Sequence, residues 1–316
     1  MTPGETPSRP QHPHAHLMAA LMPQPGFHPA ALEGITFMRA DASTLPAPVL
    51  QEPSIVLLGQ GLKRSYLDGE VLPYTPGEIL VVSLPMQFDC DTVVQPGQPM
   101  LALSVRIDMA LVAELAGLMG PDAPLPPGGR VRGLSVEPMS AEVSDVLTRL
   151  LQALGDAEAA RVLGPALVRE LHYRVLQGPA GQALRALAAS QGRLGRVLRC
   201  IEQMRAEPAR AFSATAMARD AGMSVSGFHE AFKRVTGHAP LQYLKLTRLH
   251  MARDCLSMHD VGAAEAAYRV GYGSASQFSR EFKRLFGRSP GDEVARLKAS
   301  FAMPRLAGKQ VWVASH

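Results

Sequence analysis

The sequence predicts an α+β protein: a β-rich N-terminal part with flanking helices, followed by an all-helical part that holds two helix–turn–helix units. Three observations carry this expectation. Short runs of Val, Ile and Leu broken by Gly/Pro turns fill residues 53–106. Apolar residues at helical spacing take over from about residue 140. Residues 222–240, GMSVSGFHEAFKRVTGHAP, then recur as 271–290, GYGSASQFSREFKRLFGRSP.

The elements follow in order. MTPGETPSRPQHPHAHLMAA lacks the basic-then-apolar layout of a signal peptide and is rich in Pro and His, so residues 1–24 are expected to be a disordered tail. His12, His14 and His16 alternate there and are read as part of that tail rather than as metal ligands. SIVLLGQG, EILVVSLPM and MLALSVRI read as strands, bounded by the turn clusters LDGE, YTPGE and VQPGQP. Asp68-Gly69 is a hairpin signal, and PDAPLPPGGR at 121–130 reads as a rigid loop. Val143, Val146, Leu147, Leu150, Leu151 and Leu154 share one helical face. A second helix is expected from about Glu158 to Gln177, with Leu163, Leu167, Leu171 and Val175 on one side and Gly178-Pro179 as its end. These two helices either pack onto their own domain or form a dimer seam. Val197, Leu198, Ile201 and Met204 mark a helix that stops near Pro208; Ser213 caps a short helix, and 241–256 is one continuous helical pattern.

The repeat is a small module used twice. Phe228, Phe232, Lys233, Arg234, Gly237 and Pro240 stand 50 positions before Phe278, Phe282, Lys283, Arg284, Gly287 and Pro290. In the second copy Phe278, Phe282 and Leu285 fall at i, i+4 and i+7 and face a core. Ser276, Gln277, Arg280, Lys283 and Arg284 are left outside, as are Ser226, His229, Glu230 and Lys233 in the first. Gly271 is a helix stop and Ser274 or Ser276 a cap. A short helix, a glycine turn and a polar helix is the arrangement that places a recognition helix in the major groove.

Charge agrees. Residues 1–190 hold 12 Lys/Arg against 18 Asp/Glu, and residues 191–316 hold 20 against 10, so a part of charge −6 precedes one of +10. A basic part on an acidic body suggests a polyanionic partner. Cys90, Cys200 and Cys255 are too few and too scattered for a disulfide framework, which fits a cytoplasmic protein, and no apolar run is long enough to span a membrane. No phosphate loop, nucleophile elbow or His-Glu-x-x-His helix is present, and residues 53–106 contain no His for a catalytic metal cluster. The chain is therefore read as a non-enzyme with no cofactor and no metal. Cys90 suggests either an electrophile sensor or a plain packed thiol; its neighbours Asp89 and Asp91 should blunt its nucleophilicity.

The tandem resembles the DNA-binding region of the AraC/XylS family of bacterial transcription regulators, whose pattern runs approximately A-x-x-x-G-[FYM]-x-S-x-S-x-F-x-R-x-F-K-x-x-x-G-x-[ST]-P. AAYRVGYGSASQFSREFKRLFGRSP matches closely, and AMARDAGMSVSGFHEAFKRVTGHAP matches except for Glu230, where Arg is frequent. TRLHMARDCL is similar to the family's connecting helix, while Glu293 and Val294 stand where Tyr-Arg is usual. The layout around Gln60-Gly61, Lys63, Tyr74 and Gly77 is similar to the cupin-like N-terminal domain of one subgroup. Composition, periodicity and the resemblance together give the expected domains: a disordered tail (1–24), a cupin-like effector-sensing domain (25–135), a helical linker or dimerisation segment (136–190), a DNA-binding domain (191–302) and a C-terminal tail (303–316). The resemblance implies double-stranded operator DNA and RNA polymerase as partners, an unidentified small-molecule effector, and room for a homodimer. Ser226, His229, Glu230, Ser276, Gln277 and Arg280 would read bases; Lys233, Arg234, Lys283 and Arg284 would hold phosphates. Tyr66, Tyr74, Phe88, Cys90 and Arg106 are the effector candidates, and the sequence does not say which of them point inward. The competing readings are a cupin-type enzyme with a DNA-binding appendage and an effector-independent DNA binder.

Overall fold

The structure, a computed structural model, describes residues 12–67, 69–120, 133–189, 193–258 and 261–301. The expectations for 1–11, Asp68, 121–130 and 303–316 lie outside the described residues. The N-terminal part begins with helix α1 (His14–Leu21) and strands β1 (Gly26–Pro29), β2 (Ile35–Ala40), β3 (Ala47–Gln51), β4 (Ser54–Gln60), β5 (Leu62–Leu67), β6 (Glu70–Tyr74), β7 (Glu78–Val82), β8 (Met86–Val93) and β9 (Met100–Arg106). Helix α2 (Met109–Met119), strand β10 (Leu134–Pro138), α3 (Ala141–Leu154), α4 (Ala157–Gln177) and α5 (Pro179–Ala189) complete it. The rest is helical: α6 (Arg193–Ala206), α7 (Ala214–Asp220), α8 (Val225–Thr236), α9 (Pro240–Met258), α10 (Ala263–Arg269), α11 (Ala275–Phe286) and α12 (Pro290–Phe301).

Two antiparallel sheets pack face to face, one ordered β1-β2-β9-β4-β7-β10 and the other β3-β8-β5-β6. The three runs read as strands are β4, β7 and β9, the centre of the larger sheet. Their apolar residues are continuous rather than alternating because both faces are covered. Val56, Leu58, Leu80, Val82 and Ala102 meet Tyr74 and Phe88 of the smaller sheet. Ile55, Leu57, Ile79, Val81 and Leu103 meet the helices. The hairpin signal joins β5 to β6, and Gly69 takes the φ of +83° that its turn requires.

The helical readings hold for α3, whose six named apolar residues are all buried. In α4 the inward stripe is Ala160, Gly164, Leu167, Leu171 and Val175, so Leu163 turns out to solvent. Gly164 allows that register, because a Cβ there would meet Leu32 at 3.0 Å.

One expectation is corrected. From His12 on, the segment expected to be a disordered tail is ordered, and 14–21 is a helix. Ala15, Met18 and Met22 are buried in the main core, and His14 is buried with its Nε2 3.1 Å from the Ser144 carbonyl and 3.0 Å from Thr148 Oγ1. Apolar side chains four apart supply enough burial to order the segment in spite of its composition.

Candidate nucleic-acid interface

The C-terminal helices build two modules that share α9. Phe228, Phe232, Val235 and the start of α9, through Tyr243 and Leu244, form the first core with α6 and α7. Leu249, Ala252 and Leu256 of the same helix form the second with Ala266, Ala267, Phe278, Phe282 and Phe286. Each module is punctuated alike. Ser224 accepts from the Gly227 amide and Ser274 from the Gln277 amide, capping α8 and α11. Gly237 and Gly287 close the two helices in the left-handed conformation. At Gly271 closeness matters as much as its φ of +88°, since a Cβ would stand 2.6 Å from the Ala209 Cα.

Burial divides α8 and α11 into two faces. The phenylalanines are buried, while Ser226, Glu230, Ser276, Gln277 and Arg280 are exposed and His229 is half-buried. Lys233, Arg234, Lys283 and Arg284 are exposed in the last turns, where the helix dipole favours cations. Gln277 has a partner that the sequence did not suggest: its Nε2 donates to Glu281 Oε1 at 3.3 Å.

The effector candidates do not come together as one set. Tyr74 and Phe88 are buried between the sheets, and Cys90 packs against the same cluster. Burial, and then Cys90 nearby, push the Tyr74 hydroxyl well above its ordinary pKa. Tyr66 lies on the opposite face of β5, where its hydroxyl donates to the buried Asp91 at 2.9 Å beside Arg64. Arg106 is half exposed and paired with Glu33 at 2.9 Å. Strand parity explains the split, because β5 carries polar residues on both faces. Ser65, which sequence reasoning missed, is the cross-strand partner of Cys90 and is fully buried, and its hydroxyl has no hydrogen-bond partner among the described residues.

The helical modules dock on the edge of the smaller sheet. Glu52, just after β3, pairs with Arg205 of α6, and Arg253 of α9 donates to the Pro48 carbonyl at 3.2 Å. Arg253 also reaches Glu293 at 2.8 Å, so the Glu that replaces the family's usual residue is a buried ion-pair partner. On the same helix His250 is buried, and desolvation followed by Arg253 and Arg205 brings its imidazole pKa down to about 3.

Comparison with known proteins agrees with this architecture. Residues 31–183 match the family described as AraC-type transcriptional regulator N-terminus, and residues 217–296 match a helix-turn-helix domain. The chain is 36% identical over 106 residues to the RCS-specific HTH-type transcriptional activator RclR of Escherichia coli, 34% of this chain and 36% of that protein. It is 39% identical over 77 residues to the HTH-type transcriptional activator RhaS of Salmonella arizonae, 24% of this chain and 28% of that protein. These matches thus span only about a third of the relatives' length. Two solved structures of ToxT from Vibrio cholerae share the fold. One, with an unsaturated fatty acid bound, has a TM-score of 0.63 at 9% identity over 87% of this chain and 99% of that one. The other, bound to (E)-4-(8-methylnaphthalen-1-yl)but-3-enoic acid, has a TM-score of 0.56 at 10% identity over 83% and 99%. With an AraC-type N-terminal domain and a helix-turn-helix domain matched in one chain, this protein belongs to the AraC family of transcriptional regulators.

Proposed function

We propose that the chain binds double-stranded DNA with α8 and α11 in major grooves, and regulates transcription under the control of a small molecule held between its two sheets. The observation that carries the first part is the division of both helices: a buried Phe stripe fixes each one, and the opposite face presents exposed polar groups near the N-terminus and exposed Lys-Arg pairs near the C-terminus, which would read bases and hold phosphates respectively. Ser226, His229 and Glu230 would read one groove; Ser276, Gln277 and Arg280 the other. The partners in this reading are operator DNA and RNA polymerase, and the chain is a regulator rather than an enzyme.

Phosphate contacts release counterions, so affinity should fall with salt along a log–log slope of roughly −0.9 per contact. In gel-shift titrations of genomic fragments at several salt concentrations, Lys283→Ala should weaken every sequence alike and reduce the slope by about 1. A flat salt response from the wild type would end the proposal.

The sensing part rests on Ser65. A buried hydroxyl without a partner is costly unless something supplies one. It sits beside Cys90, with the apolar sandwich interior above it. Lys63, cross-strand neighbour of Tyr74, donates to Thr92 Oγ1 at 3.4 Å. The two ligands named for ToxT are carboxylic acids with apolar bodies, and an apolar molecule with a polar head suits this interior as well. A ligand shifts the DNA-binding state only through its differential affinity for the two forms, so ligand and DNA must change each other's affinity by one factor. An unsaturated fatty acid is the first probe: its Kd, measured with and without bound DNA, should differ by the factor by which it changes DNA affinity. Equal values would remove ligand control of DNA affinity.

A further inference from the structure

Glu281 lies one turn beyond Gln277 on α11. Its carboxylate accepts from the Tyr272 hydroxyl at 2.9 Å, the Lys245 ammonium at 3.1 Å and the Gln277 Nε2 at 3.3 Å. The side chain is only 17% exposed. Burial pushes its carboxyl up, but the hydrogen bonds from Tyr272, Lys245 and Gln277 outweigh that and hold it below its ordinary value. Glu281 is therefore ionised at neutral pH, and an ionised carboxylate only accepts.

An acceptor-only neighbour allows a carboxamide one orientation. The nitrogen of Gln277 must face Glu281 and the oxygen must face away, an assignment that chemistry settles where heavy-atom positions do not. One N–H is used on Glu281. The C=O and the second N–H form the free edge of an exposed side chain. Adenine offers the matching pair in the major groove, an N6–H donor beside the N7 acceptor.

We infer that Glu281 is a positioning residue for base recognition, holding Gln277 so that its carboxamide reads adenine in the groove that α11 enters. The inference rests on the reading of α11 as a recognition helix. Tyr272 comes from the turn before α11 and Lys245 from α9, so the orientation of Gln277 is tied to the body of the module and not to its own helix alone. The first module supplies an internal comparison. Fifty positions earlier stand Gly227 and Ala231, which can neither read nor hold. Both copies keep the Phe, Lys-Arg, Gly and Pro framework, and only the second carries the Gln–Glu pair. The two half-sites should accordingly differ, with this adenine in one of them.

The test uses the full chain and a randomised duplex library, followed by competition binding on the enriched duplex with single positions changed. The wild type should enrich adenine at one position, and Gln277→Ala should lose that preference while keeping the rest of the motif. Glu281→Gln is the discriminating variant. It preserves shape and an acceptor for Tyr272, but its amide both donates and accepts, so it no longer dictates how Gln277 points. Adenine-over-guanine preference at that position should fall roughly tenfold, with the salt slope unchanged and the variant still folded by circular dichroism, its melting temperature lowered by loss of the Lys245 pair. The double variant should behave as Gln277→Ala alone. A motif that survives Glu281→Gln intact, a motif that survives Gln277→Ala, or a loss spread evenly over all positions overturns the inference. A wild-type protein that enriches no sequence overturns both it and the DNA-binding reading beneath it.

Discussion

Phe282→Ala is expected to destabilise the second module by about 3–5 kcal/mol and to abolish binding through α11. Phe282 is fully buried, with its ring centroid 5.4 Å from that of Phe278 and 4.4 Å from that of Phe286. Such ring pairs contribute roughly 0.5–1.5 kcal/mol beyond the area they bury. The cluster around them is small, closed by Leu249, Leu256, Val270 and Tyr272. Phe232 holds the equivalent place in the first module, 5.5 Å from Phe228 and 5.6 Å from Tyr243. Urea unfolding followed by circular dichroism should show the loss for Phe282→Ala, and little for Arg280→Ala, whose side chain is exposed. A Phe282→Ala midpoint within error of the wild type would mean that the stripe does not form the core described.

The helical modules were legible because every part of them is local. The cap, the Phe spacing, the Lys-Arg pair and the closing glycine all fall within one turn or one helix, and the duplication states them twice. The strands at 54–60, 78–82 and 100–106 were legible for a related reason, since continuous Val/Ile/Leu runs mark segments covered on both faces. Their pairing was not. β2 lies beside β9 and β4 between β9 and β7, an order set by contacts far apart in sequence that no local pattern encodes. The effector candidates failed at the same level. Tyr66 and Tyr74 both offer a ring and a hydroxyl, and only the register of β5 against β6 and β8 shows that one faces the interior and the other Asp91. Ser65 and Glu281 gave no signal, because a serine in a strand or a glutamate in a helix is ordinary until its neighbours are known. The N-terminal helix was hidden by composition: three histidines and flanking prolines outweighed Leu17, Met18, Leu21 and Met22, whose four-residue spacing was the available clue.

That helix sets the other large expectation. A chain begun at residue 25 should be less stable than one begun at His12 by about 3–6 kcal/mol, taking roughly 1.5–3 kcal/mol for each fully buried Met side chain. Met18 and Met22 are both fully buried against the outer face of the larger sheet and the helices over it. The site is shaped for them: a Cβ at Gly59 would lie 2.7 Å from the Met18 sulfur, so glycine in β4 is what lets α1 approach. Truncation would also remove the His14 contacts to α3 and the carbonyls of Met22 and Pro23 that accept from Arg39 at 2.9 and 3.3 Å. A disordered tail could be removed at little cost to the fold; with Met18 and Met22 in the core, this deletion is damaging. Since Leu57 and Leu101 beneath α1 alternate along their strands with Leu58 and Ala102 on the sandwich interior, loss of the helix should loosen the strands that form the proposed ligand site. Urea midpoints of the two truncations separate the cases, and equal midpoints would show that α1 adds nothing. If they differ as expected, ligand binding should weaken in the shorter chain even though none of the described residues 12–24 belongs to the proposed site.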